Sequence, residues 1–219
     1  SNSDILRAVS SSTEEQALSF DPSKKVVRFP AWVDFEIFSN VKPLRNNEKN
    51  FKILFIGSVT DRKKPHLIVE AMNNFNSKDI KLYIVGPTPN ENYLSQLKKL
   101  VQEYDLADQV SFTGSIDRKS VMDHYADTNL MILPSVSEGL ARVIFESQVT
   151  ACPVLVTDAP GMGDIVIDGQ TGYIFESDNL ESLTSKIQEI KNNYQDAIHV
   201  GNNAKNFILS NYSADNFKF

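Results

Sequence analysis

Two glutamates eight residues apart, Glu138 and Glu146, bound the segment EGLARVIFE, shortly after an apolar run that ends at Pro134. Carboxylates act as general acids and bases, or accept hydrogen bonds from ligand hydroxyls. On one continuous helix, eight residues separate the pair by roughly 12 Å along the axis. That exceeds the about 5 to 9.5 Å of a glycosidase carboxylate pair, but suits two hydrogen-bonding tasks on one long ligand. Taken alone, the pair reads as two ordinary solvated helix glutamates. Gly139 permits close backbone approach, and the helix that follows presents unpaired N–H groups and a positive dipole end to an anion such as a diphosphate. A second cluster, Arg62, Lys63 and Lys64, follows the run FKILFIG and offers cations for phosphate; alone, it is also an ordinary solvated charge run.

Other chemistry-bearing residues are quieter. The glycine turns TGS (113–115), APGMGD (159–164) and DGQTG (168–172) mark loops. His66, His124 and His199 fall in helical patterns and read as packed or surface side chains, and Cys152 reads as a small core residue. Trp32, Phe35 and Phe38 are expected to seal a domain junction. There is no GxGxxG, Walker loop, nucleophile elbow, HExxH or Cys/His cluster at zinc spacing. The common dinucleotide, ATPase, hydrolase and zinc-protease readings therefore lack their motifs, and no metal site is expected.

These residues need elements to position them. The runs FKILFIG (51–57), IKLYIVG (80–86), VSFTG (110–114), NLMILP (129–134) and PVLVT (153–157) are short, apolar and bounded by turn residues. Helical stretches lie between them, PHLIVEAMNNF from Pro65 and ENYLSQLKKLVQEYDL from Glu91. Pro65 suits a first helical turn, and Leu94, Leu97, Leu100 and Val101 form one apolar stripe. Strands apolar on both faces and alternating with helices predict a doubly wound parallel sheet, α/β, in three layers α/β/α. It is expected over about residues 50–193, with a terminal helix near 197–211 packed on its edge. Residues 5–10 and 26–29 read as isolated strands, followed by FPAWVDFEIF and the polar LRNNEKN. Ligands of such sheets bind beyond the carboxyl ends of the strands. The loops SVTDRKKP after Gly57 and SVSEGLARVIFE after Pro134 are thus the expected site.

The 219 residues carry 22 Lys plus Arg against 28 Asp plus Glu, a net charge of −6, with 41% hydrophobic residues. This is the balance of an ordinary globular protein, without a basic stripe for nucleic acid. No run approaches the roughly 18 apolar residues of a spanning helix, and SNSDILRAVSSSTEEQ is not a signal-peptide pattern. One cysteine allows no internal disulfide, which leads to an expected cytoplasmic location. The start at Ser1 reads as a cleaved tag or a cut inside a longer gene.

Taken together, PSVSEGLARVIFE and SQVTACPVLVTDAPGMGDIVIDGQTGYIF resemble the signature stretch of the group 1 (family 4) retaining glycosyltransferases of GT-B fold. GSVTDRKKPHLIVEAM, KLYIVGP, VSFTGSIDRKSVMDHYADTNLMILPS and KVVRFPAWVDFEIF are similar to further family segments, so that the resemblance covers about residues 26–212. It implies a Rossmann-like C-terminal, nucleotide-sugar-binding domain over 49–219, with 1–48 as the remnant of an N-terminal domain and its linker. It implies that Glu138 lies near the transferred sugar as the catalytic carboxylate and that Glu146 holds the ribose hydroxyls. Lys63 matches the phosphate-binding lysine; backbone amides of Gly139, Leu140, Ala141 and Arg142 meet the diphosphate and sugar; Gly114, Ser115 and Ile116 flank the base. Ser58, beside Gly57, stands where arginine is usual, and Arg62 is a candidate replacement cation. Pro160 replaces one of two glycines, Gly163 and Asp164 replace a Pro-Glu pair, and Arg142 stands where an apolar residue is common. The implied donor is a nucleoside-diphosphate sugar, without cofactor or metal. The implied acceptor is a glycan or lipid-linked sugar met through the N-terminal domain, with peripheral membrane association only in the full-length protein. A non-catalytic nucleotide-sugar-binding module and a GT-B sugar-nucleotide epimerase are the alternatives.

Overall fold

The computed structural model describes residues 5–28, 35–45, 50–75 and 77–212. The junction role expected of Trp32, and the end of the second strand at Phe29, lie outside them. The chain opens with β1 (Ile5–Ala8), α1 (Ser11–Phe20), β2 (Lys25–Arg28) and α2 (Phe35–Ser39). The two strands are not isolated, as the sequence suggested. They pair in parallel, Ile5 opposite Lys25 and Ala8 opposite Arg28, and α1 is the crossover that a parallel pair requires. Because α1 buries none of its residues, it has no apolar stripe to reveal it in the sequence. Its visible signal is Ser10, whose side chain caps Thr13 while Thr13 Oγ1 accepts the Ser10 N–H at 2.9 Å.

The main sheet contains β3 (Phe51–Ile56), β4 (Ile80–Val85), β5 (Val110–Gly114), β6 (Leu130–Leu133), β7 (Val154–Thr157) and β8 (Tyr173–Phe175). All pairings are parallel, in the order β5-β4-β3-β6-β7-β8. Every residue of β6 and β7 is buried, as expected of strands covered on both faces. The chain steps outward from β3 to β5, then returns to β6 beside β3. That reversal opens a crevice at the carboxyl ends of β3 and β6, between the two loops expected to carry chemistry.

The helices are α3 (Pro65–Asn73), α4 (Glu91–Glu103), α5 (Arg118–Asp127), α6 (Arg142–Val149), α7 (Leu180–Asn192) and α8 (Tyr194–Asn211). Pro65 opens α3, and the side chains of Asn90, Asp117 and Asn179 cap α4, α5 and α7. The terminal helix is longer than expected and does not sit at the sheet edge. It packs along α6 and buries Ala197, Gly201, Ala204 and Ile208, Gly201 lying against the Ala151 carbonyl just past α6, and the Tyr194 ring meets Phe51 of central β3 at 5.6 Å. A small-residue stripe lets it come that close. Arg45 ties the polar linker to the domain: its guanidinium donates to the carbonyls of Thr128 (2.8 Å), Tyr125 (3.1 Å) and Thr150 (2.8 Å), at the carboxyl ends of α5 and α6. These are carbonyls at the negative ends of two helix dipoles. On this side Phe35 stacks on Phe145 and Phe38 meets Tyr125 edge-on.

Candidate functional site

The crevice is built from two loops. After β3, Gly57 leads to a 3-10 turn at Asp61–Lys63. A Cβ on Gly57 would stand 3.2 Å from Lys63 Nζ, so the missing side chain is where the lysine lies. After β6, residues 134–141 form a second loop that faces the first. Glu138 Oε1 accepts the Ser135 hydroxyl at 2.8 Å and pairs with Lys63 Nζ at 3.0 Å and an Arg62 guanidinium nitrogen at 3.3 Å. Arg62 also donates to the Ser137 carbonyl, and Val136 N–H to the Arg62 carbonyl at 3.2 Å. The side chains of Glu138 and Lys63 are only 9% and 12% exposed. A carboxylate so enclosed needs compensation, and three donors supply it.

The structure corrects one expectation about the glutamates. Glu138 is not on the helix: α6 starts at Arg142, and Ala141 before it offers no capping side chain. The axial spacing of a continuous helix therefore does not describe the pair, which faces different neighbours. Within the described residues, the backbone N–H groups of Ser137, Gly139, Leu140 and Ala141 make no hydrogen bond. They supply donors of the kind an anion takes up. Glu146 lies half-buried on α6, where Tyr125 Oη of α5 donates to its Oε2 at 3.2 Å. Burial pushes the Glu146 carboxyl up, opposed by the Tyr125 hydrogen bond and the Arg142 and Arg118 charges.

Gly114 ends β5 at the same rim. Gly57 N–H donates to the Val85 carbonyl and Gly86 N–H to that of Gly114, each at 2.9 Å, which joins three strand ends side by side. Ser115 is exposed and Ile116 and Ser58 are half-buried, but none enters the Glu138 hydrogen-bond cluster. The structure thus unites Gly57, Arg62, Lys63 and Glu138, sets Gly139, Leu140, Ala141 and Arg142 in the adjoining loop and helix start, and seats Glu146 against α5.

Ser135, Tyr125 and Arg118 were not singled out in the sequence. Ser135 had a local signal, three residues before Glu138 at a strand end; for the other two only the folding of α5 against α6 reveals the role. Two of the histidines and the cysteine serve packing. His66 Nδ1 bonds Tyr93 Oη at 2.7 Å, His124 tilts on Tyr83, and Cys152 is buried. A cavity of about 330 Å³ beside α5 includes Lys52 and His124; Lys52 lies near the start of β3, whereas Gly57 follows its end. Among the described residues, no three or more His, Cys, Asp or Glu side chains gather in a way that could hold a metal ion. No helix there is long and apolar enough to cross a membrane.

A doubly wound sheet with polar loops converging at its reversal point defines a Rossmann-like ligand-binding fold of the GT-B kind, as the sequence implied. Residues 36–207 match the family described as glycosyl transferases group 1, and the chain belongs to that family. It is 25% identical over 175 residues to the capsular polysaccharide biosynthesis glycosyltransferase CapM of Staphylococcus aureus, covering 75% of this chain and 43% of that protein. It is 22% identical over 228 residues to the GDP-mannose-dependent alpha-(1-6)-phosphatidylinositol monomannoside mannosyltransferase of Mycolicibacterium smegmatis, covering 96% and 59%. The fold superposes on the crystal structure of Anabaena HepE in complex with UDP and glucose with a TM-score of 0.86 at 16% identity, covering 96% of this chain and 60% of that one. The chain thus spans about half the length of these relatives.

Proposed function

We propose that this chain is the donor-binding part of a retaining glycosyltransferase that uses a nucleoside-diphosphate sugar. The observation that carries the reading is the enclosed Glu138 held by Lys63 and Arg62 at the β3/β6 crevice, beside a loop with unpaired N–H groups. Lys63 and Arg62 face the diphosphate, and the amides of Gly139, Leu140 and Ala141 add donors to it. Glu138 accepts from hydroxyls of the transferred sugar, and Glu146 from those of the ribose. Gly114, Ser115 and Ile116 border the base.

As the glycosidic bond breaks, negative charge grows on the departing diphosphate. Fixed cations and N–H groups aimed there stabilise the transition state most, which supplies catalysis with no step assigned to a metal. The acceptor, a glycan or lipid-linked sugar, is positioned by a partner domain in the full-length protein, at the inner face of the membrane. Without it this chain binds donor and scarcely transfers, because an unpositioned acceptor forfeits the gain of proximity.

Calorimetry with UDP, GDP and ADP, in metal-free buffer, tests this reading. Selective binding of one nucleotide, weakened about tenfold or more by Glu146→Gln, is expected. Equal affinity in the variant sinks the ribose assignment, and no binding by folded protein sinks the donor site. Ser58, in place of the usual cation, favours a second reading as a non-catalytic nucleotide-sugar-binding module. Sugar transfer or donor hydrolysis by the full-length protein removes that alternative.

A further inference from the structure

Asp164 has had no part in the site so far. It lies half-buried in the stretch between β7 and β8, and its carboxylate accepts two bonds from Ser11, from the backbone N–H at 2.6 Å and from the hydroxyl at 2.5 Å. Ser11 is the first residue of α1, so Asp164 satisfies an N–H that the helix leaves unpaired, with its charge at the positive dipole end. The contact joins the N-terminal βαβ unit to a loop 153 residues away in sequence.

The same loop grips Glu138 from the other side. Glu138 N–H donates to the Pro160 carbonyl at 3.2 Å, one of only two backbone N–H bonds among the described residues that hold the loop 136–141. Gly161, at φ +93°, presses so close that a Cβ there would stand 1.9 Å from the Glu138 carbonyl oxygen. Val9, two residues before Ser11, has a methyl 3.9 Å from where a Cβ on Gly139 would be. The Asp164 carbonyl accepts the Tyr212 hydroxyl at 3.1 Å, and the Tyr212 ring packs edge-on against Phe145 of α6 at 5.2 Å.

We infer that Asp164 is a positioning residue: its clasp on Ser11 fixes the Glu138 loop to the N-terminal βαβ unit, so that donor affinity depends on how that unit is seated. The inference rests on the reading of the crevice as a nucleotide-sugar site. Glu138 itself touches the cations; Asp164 acts on it only through the backbone of residues 160 and 161.

Two variants break the clasp from opposite sides. Asp164→Ala removes the acceptor. Ser11→Pro removes both donors at once while leaving α1 a residue it favours at its first position, and the extended Ser10 (φ −150°, ψ 167°) suits a following proline. Amide exchange and affinity for UDP, GDP and ADP are measured on the whole chain for wild type, each single variant and the double variant. Faster exchange of the hydrogen-bonded Val136 and Glu138 amides, with β3 still protected, is expected in all three variants. Nucleotide affinity is expected to fall about fivefold in each single variant and no further in the double. Unchanged exchange at these two amides, or losses that multiply in the double variant, overturns the clasp. If wild type binds no nucleotide, the donor reading fails, and the exchange comparison alone decides whether Asp164 positions the loop.

Discussion

At Glu146, burial raises the carboxyl while the Tyr125 hydroxyl and two arginine charges draw it down, and burial is the larger influence. A raised carboxyl pKa means that the folded state holds its proton longer than the unfolded chain. Stability therefore falls as pH rises from about the ordinary value of 4.5 through the raised one, and is level on either side. Glu146→Gln has no such loss. It is expected to melt higher than wild type at pH 7, with the gap closing below pH 4.5, as a pH series of thermal scans checks. Gained stability with lost nucleotide affinity marks a residue kept for binding. Glu138 makes the opposite prediction: Glu138→Gln loosens the hold on Lys63 and Arg62, and UDP, GDP or ADP, whichever binds wild type, is expected to bind about threefold tighter by calorimetry. Weaker binding would show that Glu138 organises those cations rather than occupying them. The residue types of this cluster were legible in the sequence; the partnership of Lys63 with Glu138 was not, because 75 positions separate them.

Elements were read best where burial is two-sided. The largely apolar runs of β3, β6 and β7 and the stripe of α4 were legible because sheet and helix each impose a pattern on what they bury. The surface helix α1 and the short β8 were passed over, since an element that buries nothing, or spans three residues, leaves little pattern. The helical placing of Glu138 failed for a local reason: nothing in EGLARVIFE shows where an uncapped helix begins. Arg45, read as part of a polar linker, closes two helix ends instead. Arg45→Met is expected to cost about 1 to 3 kcal/mol in urea unfolding, since three carbonyls lose their donor at once. A loss no larger than that of a surface substitution would mean that water replaces the guanidinium.

Across the whole molecule, stability is unevenly shared. The core runs from Phe38 of α2 through α8, whereas α1 buries nothing and Phe20 at its end is 83% exposed. Amide protons of α1 are expected to exchange at least about a hundredfold faster than those of β6, measured by mass spectrometry at neutral pH. Comparable protection would require a cover for α1 supplied by association of the chain with itself. The fold as a whole was legible; how its N-terminal unit seats was not, since the Ser11–Asp164 contact that ties it to the loop after β7 joins residues 153 positions apart.

The pairing of Glu138 with Lys63 and Arg62 bears on ionic strength. Cations that wait for phosphate in most sites gather dissolved anions, which binding sends back to the solution and which make affinity fall steeply with salt. Here the waiting anion is covalently part of the protein. On the proposed donor reading, an arriving diphosphate exchanges places with a tethered carboxylate, and its affinity is expected to fall less with added salt than at a site whose cations stand open.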